Sequence, residues 1–185
     1  MARYQAFDPA SEMYGMSVQA FTKSILHDDI ADILNRHGMD EIDPQKWYSV
    51  QKLLDVLNDV VEEGSNTSQV FVSVGIGAAE LGYAALPEPV KAQLTLRGFL
   101  SAYGKRLGEL HHGDVGYVRF EEAAGNHFIM TWRVPYPDDM MYGVFYGYTR
   151  LLRPPRQTFS LEYDPNYMTV EAGGDRTVLH IHVGG

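Results

Sequence analysis

The chain contains no cysteine. That excludes disulfides, thiolate metal centres, cysteine nucleophiles and thioether-linked haem, and a reducing cytosol is the compartment easiest to reconcile with it. Positive charge is also scarce. Lys and Arg number 15 against 24 Asp and Glu, a formal charge of −9, and no Lys/Arg run is interleaved with aromatics. A phosphate backbone is therefore not an expected partner. No segment approaches the roughly 18 apolar residues that span a bilayer. The opening Met1-Ala-Arg-Tyr-Gln-Ala-Phe7 lacks the apolar stretch of a signal peptide. These absences lead us to expect a cytoplasmic protein with neither a nucleic-acid nor a membrane partner.

Catalytic motifs are missing too. Ser73 stands between Val72 and Val74, not in a Gly-x-Ser-x-Gly elbow. The acidic pairs Asp28-Asp29, Glu62-Glu63, Glu121-Glu122 and Asp138-Asp139 fall at surface-like turns or helix ends. Asp138-Asp139, just after Pro137, suits the positive end of a helix dipole without any catalytic role. No enzymatic activity is expected.

What is present is the material of one soluble globular domain, 185 residues with 45 % hydrophobic and 21 % charged side chains. Val18, Phe21, Ile25, Ile33 and Leu34 share an apolar face in a first helix ending at His37-Gly38, where glycine supplies a left-handed cap. A second helix is expected to start at Asp43-Pro44. Trp47, Val50, Leu54, Leu57 and Val61 form its apolar stripe, and Gly64 closes it. The segment from Val70 to Gly82 contains Gly75-x-Gly77, but position 80 is Glu, so the dinucleotide fingerprint fails. Read as a helix, it places Gly75, Ala79 and Gly82 on one small-residue face that lets a neighbouring backbone approach closely. Pro87 and Pro89 end that element, and a fourth helix is expected from about Val90 to Leu110, carrying Leu94, Leu96, Phe99, Leu100, Tyr103 and Leu107.

After Gly113 the hydrophobic period becomes 2. Val118 and Phe120 alternate with Tyr117, Arg119 and Glu121; Phe128, Met130, Trp132 and Val134 alternate with His127, Ile129, Thr131 and Arg133. Pro135 to Asp139 then opens a helix with Met141, Phe145, Tyr148 and Leu152 on one side, stopped by Pro154-Pro155. Two more strands follow, with Phe159, Leu161, Tyr163 and then Leu179, Ile181, Val183 facing inward. The expected fold is α+β: an N-terminal helical layer (1–112) packed on a four-stranded antiparallel sheet of two hairpins joined by a crossover helix (113–185).

This order of elements, with Gly113-Asp-Val-Gly116, Phe128-Ile-Met-Thr-Trp-Arg-Val134, Pro135-Tyr-Pro-Asp-Asp139 and Tyr142-Gly-Val-Phe-Tyr-Gly147, resembles the superfamily of haem nitric-oxide/oxygen-binding domains and the related four-vinyl-reductase-type small-ligand domains. The resemblance covers about residues 45 to 183. It implies a haem held by a His on the helix before the sheet and by a Tyr-x-Ser-x-Arg run on the second strand. Here that run is replaced by Trp132, Val134 and Pro135 or Tyr136, leaving Arg133 one position out of register. The ligand position falls near Tyr103, with His111 and His112 about two turns later, so these three are the weak candidates for a haem ligand. Relatives without haem use the same cavity for small apolar molecules.

The leading expectation is thus a non-enzymatic sensory or small-molecule-binding protein without cofactor, taking an apolar or aromatic ligand in a cavity lined by Tyr103, Phe128, Met130, Trp132, Tyr142, Phe145 and Tyr146. The alternatives are a haem gas sensor, and an interaction module or homodimer using the outer sheet face of Arg119, Glu121, His127, Arg133, His180 and His182. His180-x-His182 has a spacing compatible with a metal, and His127 is the one candidate for a third ligand. Strand alternation puts them opposite the core, so solvated surface is expected and no metal. His111-His112 reads as a helix C-terminal cap.

Overall fold

The computed structural model describes residues 3–24, 28–63, 67–123 and 125–184. In chain order the elements are β1 (Glu12–Tyr14), α1 (Gly15–Ser24), α2 (Asp28–Arg36), β2 (Trp47–Ser49), α3 (Val50–Glu63), α4 (Thr67–Ala84), α5 (Glu88–Lys91), α6 (Leu96–Glu109), β3 (His111–His112), β4 (Tyr117–Glu122), β5 (His127–Arg133), α7 (Asp138–Leu152), β6 (Thr158–Tyr163) and β7 (Thr177–Gly184). Among the described residues no helix is long and apolar enough to cross a membrane.

The four-stranded sheet is antiparallel throughout, in the order β4-β5-β7-β6, two hairpins joined by α7. Its register puts Val118, Met130 and Leu179 on the inner face and Arg119, Thr131 and Val178 on the other. Helices α6 and α7 lie against the inner face, α4 packs on α7, and α1 packs on α4. This is the α+β architecture the hydrophobic periods predict.

The helical half departs from expectation in its boundaries. The first expected helix corresponds to α1 and α2, which flank residues 25–27; those three, Ile25 among them, lie outside the described residues. The cap at Gly38 forms as expected, with φ +56°, Gly38 N donating to Asn35 O at 2.9 Å and Met39 N to Leu34 O at 2.8 Å. The second helix begins at Val50, not after Asp43-Pro44. Residues 47–49 instead pair with β1, and the Asp43 carboxylate accepts from Gln45 N at 2.9 Å in a local turn. Trp47 is consequently a strand residue, and Gly64 is outside the described residues. The fourth expected helix is broken into α5 and α6; α6 starts where the Thr95 hydroxyl accepts from Gly98 N at 3.1 Å, leaving Leu94 before the cap. A three-stranded sheet, β2-β1-β3, was not expected. Its strands span three residues or fewer, too short to display a period.

Segment 67–84 is a helix, and its small-residue face does what its spacing implies. A Cβ on Gly75 would collide with the Met140 carbonyl, and one on Gly143 with the Val72 carbonyl. The two helices therefore touch backbone to backbone, a contact that only glycine permits at both positions. Phe71, Val74 and Ala79 on α4 are buried with Met140, Met141 and Phe145 of α7. Replacing Gly143 by Ala should gain up to about 1 kcal/mol of helix propensity but lose about 1–3 kcal/mol to overpacking. We expect Gly143→Ala to lower stability in chemical denaturation. Gly108→Ala in α6, where a Cβ meets nothing within 4 Å, should leave stability unchanged or raise it.

Candidate functional site

Between the sheet and helices α6 and α7 lies a layer of aromatic rings. Alternation along β5 turns Phe128, Met130 and Trp132 inward, all buried, while β7 places Leu179 and Ile181 beside them. From α7, Phe145 meets Trp132 at a ring-centroid distance of 5.5 Å and Tyr103 of α6 at 5.0 Å. Phe99 continues the stack, 5.5 Å from Tyr103 and 3.7 Å from Tyr148. Toward the β6 edge, Tyr163 lies 6.5 Å from Trp132 and 5.6 Å from Tyr142, and Tyr146 lies 5.0 Å from Phe159. The fold thus brings together Tyr103, Trp132, Phe145, Tyr142 and Tyr146, while Phe128 sits toward β4 against Phe120.

The expected hollow is filled by the side chains expected to line it. Trp132, Met130 and Phe145 are 0 % exposed, and their ring distances are those of direct packing. A concavity of about 520 Å³ opens elsewhere, between α1 and the segment 40–48 that leads into β2, with Gln19, Lys23, Asp40, Glu41 and Lys46 on its polar wall. It adjoins none of the predicted site residues.

One buried charged group escaped the sequence reading. Asp138, expected at the surface, is 3 % exposed. Its Oδ1 accepts from Trp132 Nε1 at 2.8 Å and from the Thr177 hydroxyl at 2.6 Å, and its Oδ2 accepts from Glu171 N at 2.9 Å. Asp138 N donates in turn to Glu171 Oε2 at 3.1 Å, and the Tyr4 hydroxyl donates to Glu171 Oε1. Burial pushes the Glu171 carboxyl above its ordinary range, opposed by that Tyr4 bond and by Arg3. The helix-end position was legible as a favourable place for a carboxylate; its burial was not, because its partners lie 33 and 39 residues downstream.

His111 is a second buried polar group. Its Nδ1 lies 2.8 Å from the Leu107 carbonyl, which can only accept, so Nδ1 carries the proton and Nε2 accepts from the Tyr136 hydroxyl at 2.6 Å. The expected cap on the last turn of α6 is thus made by His111, as a neutral imidazole, since burial lowers its pKa. His112 points elsewhere: its ring stacks on Trp47 at 3.6 Å and faces Glu12 at 3.4 Å.

Solved structures that share this fold cover nearly its whole length. An H-NOX protein from S. oneidensis in the Fe(II)NO ligation state matches with a TM-score of 0.72 at 13 % identity, covering 94 % of this chain and 100 % of that one. A point mutant of T. tengcongensis H-NOX matches at 0.69 with 18 % identity, covering 94 % and 98 %. An oxygen-binding H-NOX domain related to soluble guanylate cyclases, in its oxygen complex, matches at 0.64 with 14 % identity, covering 92 % and 91 %. No family model and no curated protein matches the chain. At these identities the likeness is one of fold: the chain has an H-NOX-like fold.

The residues present do not fit a haem in this arrangement. Both nitrogens of His111 are engaged, and His112 is outside the aromatic layer. Tyr103 is wedged between Phe99 and Phe145. The donors that would meet two propionates are wanting: Trp132 Nε1 is spent on Asp138, the Tyr136 hydroxyl on His111, and the Arg133 guanidinium lies over the Phe7 ring at 4.8 Å. The buried Asp138 carboxylate would repel a propionate placed beside it.

These contacts generate expected outcomes. Asp138→Ala strands three donors in the core and should destabilise by about 3 kcal/mol, whereas Trp132→Phe, losing one donor and keeping most of the ring, should cost about 1–2 kcal/mol; urea denaturation of both variants measures the difference. His111 titrates below its unfolded value of about 6.5, so the unfolded chain takes up the extra proton on acidification. Its contribution to stability is fully present above the unfolded value and is lost progressively as pH falls from there through the lower folded pKa. His111→Gln should flatten the loss of stability between about pH 7.5 and pH 5 relative to the parent protein.

Proposed function

We propose that this H-NOX-like chain is a non-enzymatic sensory domain that takes up a small apolar or aromatic molecule in the ring layer between its sheet and helices α6 and α7. The observation that carries this reading is the continuous aromatic seam running inward from the β6 edge. Half-buried Tyr142, Tyr146 and Tyr163 stand at its outer end, and Trp132 and Phe145 at its inner end. Ligand entry displaces rings at the α7 to β6 edge instead of filling a standing void. Rings that stack offset on one another stack as readily on an apolar guest, and the Tyr142 hydroxyl, 3.3 Å from the Leu161 carbonyl, is a polar handle that can be re-aimed. Binding at this seam would move α7, and through the glycine contact α4, which gives the domain an output.

The haem alternative has its own support, the fold it shares with proteins solved in Fe(II)NO and oxygen-bound forms. In this chain Tyr103 is the one of its three candidate ligands that faces the layer. One set of measurements separates the readings. Native mass spectrometry of the protein as purified, followed by titration with the apolar dye N-phenylnaphthylamine and with hemin, should give added mass or dye binding that Tyr146→Ala weakens at least tenfold. Absence of both would overturn the proposal. A stoichiometric Soret band abolished by Tyr103→Phe would replace it with the haem reading.

A further inference from the structure

We propose that His127, His180 and His182 form a binding site for a divalent transition metal of the zinc class on the outer face of the four-stranded sheet. Strand pairing assembles it. His127, the first residue of β5, sits directly opposite His182 of β7, and His180 lies two residues back on the same face of β7, diagonal to His127. One nitrogen from each ring lies within 4.8 Å of the other two. His127 Nε2 and His180 Nδ1 are already 2.7 Å apart, and the His127 and His182 rings stack at 4.0 Å. Ligand nitrogens on a tetrahedral zinc, each about 2.0–2.1 Å from the ion, stand roughly 3.3 Å apart. Closing the set requires the His127 and His180 nitrogens to part by about 0.6 Å and the exposed His182 ring to turn toward them.

Asp164 supplies the independent observation. Its Oδ2 lies 3.0 Å from His180 Nε2, the ring nitrogen facing away from the cluster. A carboxylate there accepts the Nε2 proton and leaves Nδ1 as a lone pair aimed at His127, which is the carboxylate–histidine–metal relay of protein metal sites. Asp164 is itself held in place by Asn166 N, which donates to it at 2.8 Å.

The donor set selects the ion class. Three imidazole nitrogens and no thiolate suit Zn²⁺, Ni²⁺ or Cu²⁺ and disfavour Mg²⁺ and Ca²⁺, which demand oxygen. Glu121 and Glu162 lie in register with the His180 row on the same face, so a dication adds charge where carboxylates already stand. His182 is exposed, which leaves the fourth position open to water. A bare hydrogen-bonded trio explains the His127 to His180 contact but gives no role to the stacking of His182 or to the carboxylate behind His180.

The test is calorimetric titration of ZnCl₂ into the untagged, chelator-treated full chain, with CaCl₂ as the control. One Zn²⁺ per chain, bound in the micromolar range or tighter, with no heat from Ca²⁺, is expected. His182→Ala, at an exposed position where folding is not at risk, should weaken binding at least tenfold. Asp164→Asn should weaken it about 10- to 100-fold while keeping all three ligands. Absence of Zn²⁺ binding, or affinity unchanged in both His182→Ala and His127→Ala, would overturn the site.

Discussion

A carboxylate withdrawn from water has to find donors or it unfolds the structure around it. Asp138 meets that demand with three: the Trp132 indole, the Thr177 hydroxyl and the Glu171 amide. Those groups come from β5, β7 and the loop before β7, and the carboxylate itself heads α7. A single anion thereby ties the crossover helix to both central strands. It also commits the Trp132 ring to the middle of the layer, because an indole N–H that must reach Asp138 cannot turn outward. The filled core follows from this: the chain keeps an H-NOX-like architecture while a tryptophan, fixed by a buried acid, occupies the space between sheet and helices.

The second constraint acts on the other side of α7. Gly75 and Gly143 bring α4 and α7 to backbone contact, so any movement of α7 is transmitted to α4 and onward to α1, which packs on it. Asp138 fixes α7 at its first turn and glycine fixes it along its length, while half-buried Tyr142 and Tyr146 stand at the β6 edge, where the proposed ligand would enter.

How much of this could be read from residues alone depended on range. The sheet was legible because a period of 2 over six or more residues is unambiguous, as in Phe128, Met130 and Trp132. A close backbone approach to α4 was legible because Gly75 and Ala79 recur at helical spacing; that the approaching helix is α7 was not. The β2-β1-β3 sheet was not, since two or three residues carry no period and Trp47 fits a helical stripe equally well. Asp138 looked like an ordinary helix-end acid because the Thr177 and Glu171 that bury it are far along the chain. For the histidines, period 2 paired His180 with His182, but only the β5 to β7 register sets His127 opposite them.

That register links the two faces of the sheet. Along β5, odd positions carry His127 outward and even positions carry Met130 and Trp132 inward; along β7 the same alternation separates His180 and His182 from Leu179 and Ile181. A slip of one residue between these strands would expose the core set and bury the imidazoles. A metal bridging His127 to His182 would therefore pin the pairing on which the inner layer depends, without touching a single ring inside. Outer-face coordination and inner-face packing are, in this fold, two readings of one strand alignment.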